Sequence, residues 1–109
     1  MAVITFESEV VDYGTIAHNS DGNREFKFKN TGKEPLIISD VTRTCGCTTP
    51  EVPKEPIKPG ASGVIRVHYD TKRVGQFEKT LTVISNARNN NKQIKIKGTV
   101  NPPDVLSPK

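Results

Sequence analysis

Residues 63–70, GVIRVHYD, indicate most directly which fold this chain adopts. Apolar and polar side chains alternate along this stretch. The apolar positions are Ile65, Val67 and Tyr69. Because successive side chains of a β-strand point to opposite faces of its sheet, the alternation predicts a strand with one buried face and one face in solvent. Arg66 and His68 are expected on the solvent face.

The same alternation recurs along the chain and predicts about seven strands. In residues 24–29, for example, Phe26 and Phe28 share one face, while Lys27 and Lys29 share the other. The predicted strands cover residues 3–7, 12–16, 24–29, 36–43, 63–70, 77–85 and 92–100.

The composition favours an all-β domain. The chain has 11 Val, 9 Ile and 11 Thr, but only 3 Leu and 4 Ala. β-Branched side chains lose rotamer freedom in a helix and pack well on a pleated sheet. A sheet with one apolar face has to cover that face with another layer, so the strands are expected to form two packed sheets, a β-sandwich.

Length and charge limit the possible classes of protein. With 109 residues the chain is the size of one domain, too small for an α/β barrel. Its apolar runs are short, as at residues 36–38, and fall far below the roughly 20 residues that cross a membrane, so no membrane span is expected. We expect one domain over residues 1–100, followed by a flexible proline-rich tail or linker over residues 101–109, NPPDVLSPK.

The sharpest chemical feature is the sequence Cys45-Gly46-Cys47-Thr48. Three interpretations stay open. The two cysteines can form a strained, reducible disulfide, because Gly46 frees the backbone between them. They can stay as two thiols that bind a soft ion, copper(I) or less readily zinc. They can also be small core residues at a bend.

Histidines are the remaining candidate metal ligands. His18 and His68 are the only two, and neither is near the cysteines in sequence. A catalytic thiol is unsupported, because Arg43 is the only charge close to the motif and no base is placed to activate a sulfur. The sequence also lacks a phosphate-binding glycine loop and a nucleophile elbow. We therefore expect no enzyme activity and no cofactor.

Residues 44–60 lack the strand alternation and are expected to be irregular. Prolines recur there at every third position, at Pro50, Pro53, Pro56 and Pro59. In an extended polyproline helix they would form one ridge for a partner. We prefer a stiff crossover between the two sheets, with residues 59–60 as its closing turn.

Basic residues are spread over the predicted solvent faces. The net charge of +4 comes from 16 basic and 12 acidic residues. Proteins that bind single-stranded nucleic acids usually add exposed aromatic side chains for stacking. Here the aromatic residues fall on the apolar faces, so nucleic acid is not an expected partner.

Several segments, in order, resemble one bacterial family. They are DYGTI at 12–16, FKFKNTG at 26–32, PLII at 35–38, CGCTTP at 45–50, PIKPG at 56–60, TLTV at 80–83, SNA at 85–87 and IKGTV at 96–100. The chain resembles the family of the domain of unknown function 1573, and the wider group of Hydin-type immunoglobulin-like domains.

The resemblance implies an immunoglobulin-like β-sandwich of about seven antiparallel strands in two sheets. It also implies export, hence a periplasmic or extracellular location, with a lipoprotein anchor as one possible means of attachment. It implies no known activity. Shared fold alone is weak support for a function.

Together these features predict a non-enzymatic structural or protein-interaction module of the bacterial envelope. The expected partner is a protein that binds at a sheet edge or a loop cluster. The candidate edges are the short first strand before Gly14 and the last strand, residues 92–100. The alternative is soft-metal binding or thiol redox chemistry at Cys45 and Cys47. The sequence leaves the oligomeric state open.

Overall fold

The computed structural model describes residues 1–43 and 45–103. Within them it contains eight strands and no helix, and so no helix that could span a membrane. The strands are β1 (Ile4–Phe6), β2 (Val10–Ile16), β3 (Asn23–Asn30), β4 (Ile38–Arg43), β5 (Thr48–Glu51), β6 (Ser62–Tyr69), β7 (Gly75–Ser85) and β8 (Asn91–Val100). Of the predicted tail, residues 104–109 lie outside the described part.

The strands form two four-stranded sheets, which confirms the predicted immunoglobulin-like sandwich. Sheet A has the order β1-β3-β6-β5, and sheet B has the order β2-β8-β7-β4. Two details differ from the prediction. The eighth strand, β5, lies in the stretch expected to be irregular, because its sequence TTPE contains a proline and no apolar alternation. Strand β2 pairs with β8 in parallel rather than antiparallel.

The core lies between the sheets and follows the predicted alternation. Ile65, Val67 and Tyr69 are buried, whereas Arg66 and His68 are exposed. All six aromatic side chains of the chain are buried. Those are Phe6, Tyr13, Phe26, Phe28, Tyr69 and Phe77. No aromatic ring is therefore left on the surface to stack against a ligand.

Of the two strands predicted to lie at sheet edges, the first is an edge and the last is not. The first strand, β1, is an edge of sheet A as expected, and β2 is an edge of sheet B. The last strand is not an edge, because β8 lies between β2 and β7. The reason is the passage from β1 to β2, which carries the chain from sheet A into sheet B beside β8.

The proline-rich segment also has a different place from the one predicted. Both β5 and β6 belong to sheet A, so the crossover between the sheets lies between β4 and β5 instead. The closing turn at residues 59–60 is confirmed. Ala61 donates its N–H to the carbonyl of Lys58, and Gly60 has a φ of 82°, which a glycine adopts without strain.

A buried amide joins three separate segments. The side chain of Asn30, at the end of β3, is fully buried. Its nitrogen donates to the carbonyls of Glu34 and Ile57, at 2.7 and 2.9 Å. Its oxygen accepts the N–H groups of Gly32 and Val3, at 3.0 and 3.4 Å. The amide thus holds the start of β1, the β3–β4 turn and the loop before β6 in one place.

A buried tyrosine closes the opposite end of the sandwich. The hydroxyl of Tyr13 donates to the carbonyl of Gly22, at 2.8 Å. Burial raises the pKa of Tyr13 from 10.0 to about 12, and the nearby Arg24 guanidinium opposes that rise. The folded state therefore favours the neutral phenol.

We expect Asn30→Ala to lower the free energy of unfolding by about 3 kcal/mol, because it removes a fully buried amide together with its four hydrogen bonds to the backbone. Urea denaturation measures this loss. Asn91→Ala is the matched control, since Asn91 is exposed, and it should change stability by less than about 0.5 kcal/mol. Equal stabilities of the two variants would contradict the role given to Asn30.

We expect stability to depend on pH through Tyr13. In the unfolded chain this phenol titrates near 10.0, but in the folded protein it titrates near 12. Its contribution is therefore complete below pH 10.0 and is lost as the pH rises toward 12. Urea denaturation across this window should show a smaller loss for Tyr13→Phe than for the wild type. Parallel pH profiles would refute the assignment.

Candidate functional site

The cysteine pair lies in the crossover from sheet B to sheet A. Cys45 and Cys47 are joined by a disulfide, and their Cα atoms are 5.4 Å apart. In a regular strand, residues at this spacing hold their Cβ atoms too far apart for a bridge. Here Gly46 and Cys47 form a turn, so the backbone brings the two sulfurs together.

The two sulfurs differ in their surroundings. Cys47 is 4% exposed, and its sulfur lies 3.8 Å from the hydroxyl oxygen of the buried Thr48. Cys45 is only partly buried. A thiol arriving from solvent therefore reaches Cys45 more easily than Cys47. Attack at Cys45 would release Cys47 as the leaving thiolate beside the Thr48 hydroxyl.

The two histidines lie in different elements. His18 is partly buried in the loop between β2 and β3, which is tied to the β6–β7 turn by the bond from Asn19 N–H to the carbonyl of Thr71, at 3.2 Å. His68 is exposed on β6, with Nδ1 3.1 Å from Oδ1 of Asn23. Within residues 1–43 and 45–103, no group of three or more His, Cys, Asp or Glu side chains is placed to hold a metal ion.

Two hydrogen bonds shift the pKa of the Asp21 carboxyl, in the turn before β3. The backbone N–H of Asn23 bonds to the carboxylate of Asp21 at 2.9 Å, and the Asn23 side chain bonds to the same oxygen at 2.7 Å. These two bonds hold the pKa of Asp21 below its usual range. They stabilise the turn into β3 and do not form an acid–base pair.

The outer strand of sheet A at β1 is capped by a side chain. An edge strand normally presents unpaired N–H and C=O groups, which invite another chain to pair. The amide of Asn89 occupies those of Ile4: its oxygen accepts the N–H at 3.2 Å, and its nitrogen donates to the carbonyl at 2.8 Å. Neither group of Ile4 is therefore available to a partner.

Each edge strand of sheet B has a backbone position occupied by a nearby side chain. On β2, the Ser8 hydroxyl bonds to both the N–H and the carbonyl of Val10, and the strand is interrupted by a bulge at Gly14. On β4, the carboxylate of Asp40 accepts the N–H of Val41 at 2.8 Å. Local side-chain bonds and bulges of this kind block the pairing of a further strand.

The fourth edge, β5, is blocked by a proline and is also short. The N–H of Asp70 donates to the carbonyl of Cys47, so the alternation of the ladder turns the backbone groups of Thr48 and Pro50 outward. Pro50 has no N–H to offer there. The strand ends at Glu51, opposite Arg66.

Beyond that end, β6 has an open edge. If β5 continued in the register that pairs Glu51 with Arg66, the residue two positions after Glu51 would lie opposite Val64. Strand β5 ends before that position. By the alternation of the ladder, the N–H and C=O of Val64 face this vacant side. The described residues provide no hydrogen-bond partner for either group.

Two hollows meet at this position. A cleft of about 260 Å³ is lined by Val52, Pro53 and Ile57 on one side and by Gly63 and Val64 on the other. A trough of about 500 Å³ continues over the outer face of sheet A, and its lining is mostly apolar. The trough is lined by Thr5, Phe6, Glu7, Lys27, Phe28, Lys29, Thr31, Ser62, Gly63 and Val64.

The trough contains more basic than acidic side chains. Lys27 and Lys29 are exposed there, and neither forms an ion pair with a residue that the structure describes. The acidic residue that shares the trough is Glu7. The sequence predicts the outward direction of the two lysines, but it carries no local signal for the open edge at Val64.

Solved structures of distant proteins share this fold. A protein of unknown function from Porphyromonas gingivalis W83 matches with a TM-score of 0.79 at 22% identity, over 90% of this chain and 46% of that one. The PapD-like domain 7 of human CEP192 matches with a TM-score of 0.73 at 6% identity, over 89% of this chain and 84% of that one.

The CupB2 chaperone of Pseudomonas aeruginosa matches with a TM-score of 0.64 at 10% identity, over 94% of this chain and 57% of that one. At these identities the likeness concerns the fold alone. The chain spans less than half of the Porphyromonas gingivalis protein.

No curated protein sequence matches this chain. The match to a sequence family is extensive by contrast, since it covers residues 4–100, nearly the whole sandwich. The resemblance carried by the CGCTTP and SNA segments is thereby confirmed: the chain belongs to the family described as protein of unknown function (DUF1573).

Proposed function

We propose that this domain is a non-enzymatic protein-binding module of the bacterial envelope, and that it holds its partner by main-chain pairing at a sheet edge. The observation that carries the proposal is the contrast among the edges. On each of the strands β1, β2, β4 and β5, a side-chain bond or a proline removes at least one outward backbone group from pairing. The edge of β6 at Val64 is open and lies beside two hollows.

Two further features support the proposal. Disulfides persist in oxidising compartments such as the periplasm, and Cys45 and Cys47 are joined in one. A structural neighbour, the CupB2 protein, is similar in fold only, and its name describes it as a chaperone. Exposed sheet edges are a common way for such sandwiches to bind extended segments.

Selection from a phage library of random linear peptides on the immobilised domain tests this function. We expect enrichment of peptides that are extended and free of proline, because proline cannot donate to a sheet ladder. Fluorescence anisotropy should give dissociation constants in the micromolar range. The control is the urea-unfolded domain on the same support. Enrichment no greater than on that control would refute the proposed function.

A second candidate function is thiol–disulfide exchange at the cysteine pair, favoured by the unequal exposure of the two sulfurs. A thiolate of glutathione or of a dithiol protein would attack Cys45, form a mixed disulfide and release Cys47 as a thiolate. A second donor thiolate would then displace the reduced protein, so two donor thiols are oxidised to a disulfide. Copper binding would require this reduction first.

Redox titration in glutathione buffers separates an exchange site from a purely structural bridge. We expect a midpoint between about −270 and −120 mV, whereas a structural disulfide lies below about −300 mV. The single variants form a matched pair: Cys47→Ser, which leaves the more exposed Cys45, should react faster with glutathione disulfide than Cys45→Ser. Equal rates, or a midpoint in the structural range, would reject this function.

The same bridge should matter little to stability. It closes only the loop of residues 45–47, and the chain-entropy estimate for so short a loop is about 1.5 kcal/mol. We therefore expect the double variant Cys45→Ser/Cys47→Ser to fold and to unfold in urea with a free energy lower by about that amount. A variant that fails to fold would show that the crossover depends on the bridge.

A further inference from the structure

We infer that the partner is an extended segment in which acidic and aliphatic residues alternate, and that it adds to sheet A beside Ser62–Val64 in line with β5. The inference rests on the proposed function and specifies the edge, the direction of the side chains and the chemistry of the partner. Three observations carry it: the open backbone groups, the apolar cleft and the unpaired lysines.

The backbone of β6 determines the type of partner. The N–H and C=O of Val64 face the space that β5 leaves free, and a strand placed there can accept from one and donate to the other. Such a segment would continue the ladder that Glu51 and Arg66 end. A helical partner offers no equivalent row, because its backbone groups bond to one another within the helix.

The cleft selects for aliphatic side chains on the inward face. Strand β6 has no side chain at Gly63, and a Cβ there would lie 2.7 Å from Phe28 and 3.2 Å from the end of Ile57. Ile57 therefore lies close to the ladder, and with Val52 and Pro53 it forms an apolar wall. Valine or isoleucine suits this space, because a charged group there would lose its hydration without a partner.

The lysines select for acidic side chains on the outward face. In the register of sheet A, Lys27 lies opposite Val64 and Lys29 lies opposite Ser62, so the two lysines are one strand beyond the vacant position. Strand β3 would therefore lie about 10 Å from the added segment, twice the spacing of neighbouring strands. Val64 and Ser62 are short, so lysine side chains can reach over them to carboxylates of the added segment.

The other charged residues near Val64 do not remove the preference for an acidic segment. Arg66 is held by Glu25 at 3.2 Å and by Glu51 at 3.6 Å, so its charge is already balanced. Glu7 offsets one of the two lysines at most. The trough thus keeps an excess positive charge that an acidic strand complements.

The test uses three short synthetic peptides with the isotope-labelled full chain: one alternating Glu and Val, one alternating Lys and Val, and the Glu–Val peptide with N-methyl groups on the edge that pairs. We expect the Glu–Val peptide to bind, to shift the amide signals of residues 62–66, and to lose binding on N-methylation. The Lys–Val peptide should bind about tenfold more weakly or not at all.

Protein variants locate the edge and the charge. Val64→Pro should abolish binding of the Glu–Val peptide, whereas Val10→Pro, the same change at the capped edge of β2, should leave it unchanged. Lys27→Glu with Lys29→Glu should reverse the preference between the two peptides. Because N-methylation alters only the peptide, it decides the question of main-chain pairing even if Val64→Pro does not fold.

The outcomes distinguish this inference from the proposed function. Equal binding of both peptides would overturn the acidic chemistry, and loss of binding in Val10→Pro alone would overturn the edge. If library peptides bind but none of them competes with the Glu–Val peptide for residues 62–66, the inference fails while the proposed function stands. If neither the library nor the designed peptides bind, both fail.

Discussion

The buried amide of Asn30 is the contact on which most of this structure depends. Its two donors and its oxygen hold four backbone groups from three segments, including the carbonyl of Ile57. A fully buried amide is tolerable only when its donors and acceptor are paired. Asn30 therefore fixes the loop before β6, and with it the wall of the cleft beside Val64. The shape of the cleft at the candidate binding edge thus depends in part on this side chain.

Short polar side chains protect the rest of the sandwich from unwanted pairing. Asn89, Ser8 and Asp40 each bind backbone groups that would otherwise face solvent at a sheet edge. Uncapped edges promote pairing between sheets, and these bonds oppose such pairing at the positions they occupy. None of the described residues binds the outward N–H and C=O of Val64, so both groups can pair with a partner.

The crossover through the cysteines joins the two sheets at the opposite end. The bridge between Cys45 and Cys47 lies where the chain leaves β4 and enters β5, at the same end of the sandwich as the Tyr13 hydroxyl bond. One sulfur is partly exposed and the other is buried. The candidate redox chemistry and the candidate binding edge thus occupy separate surfaces, and each can be altered without removing the other.

The sequence by itself determined the all-β class, the inward aromatic and aliphatic residues, and the outward Lys27 and Lys29, because a period of two is a local property of the chain. It also singled out the cysteine pair, though not its bonded state. Only the tertiary structure decided the central place of β8, the parallel pairing of β2, the short β5 and the open edge at Val64. Strand order and register arise from contacts between residues far apart in the chain, which no local pattern encodes.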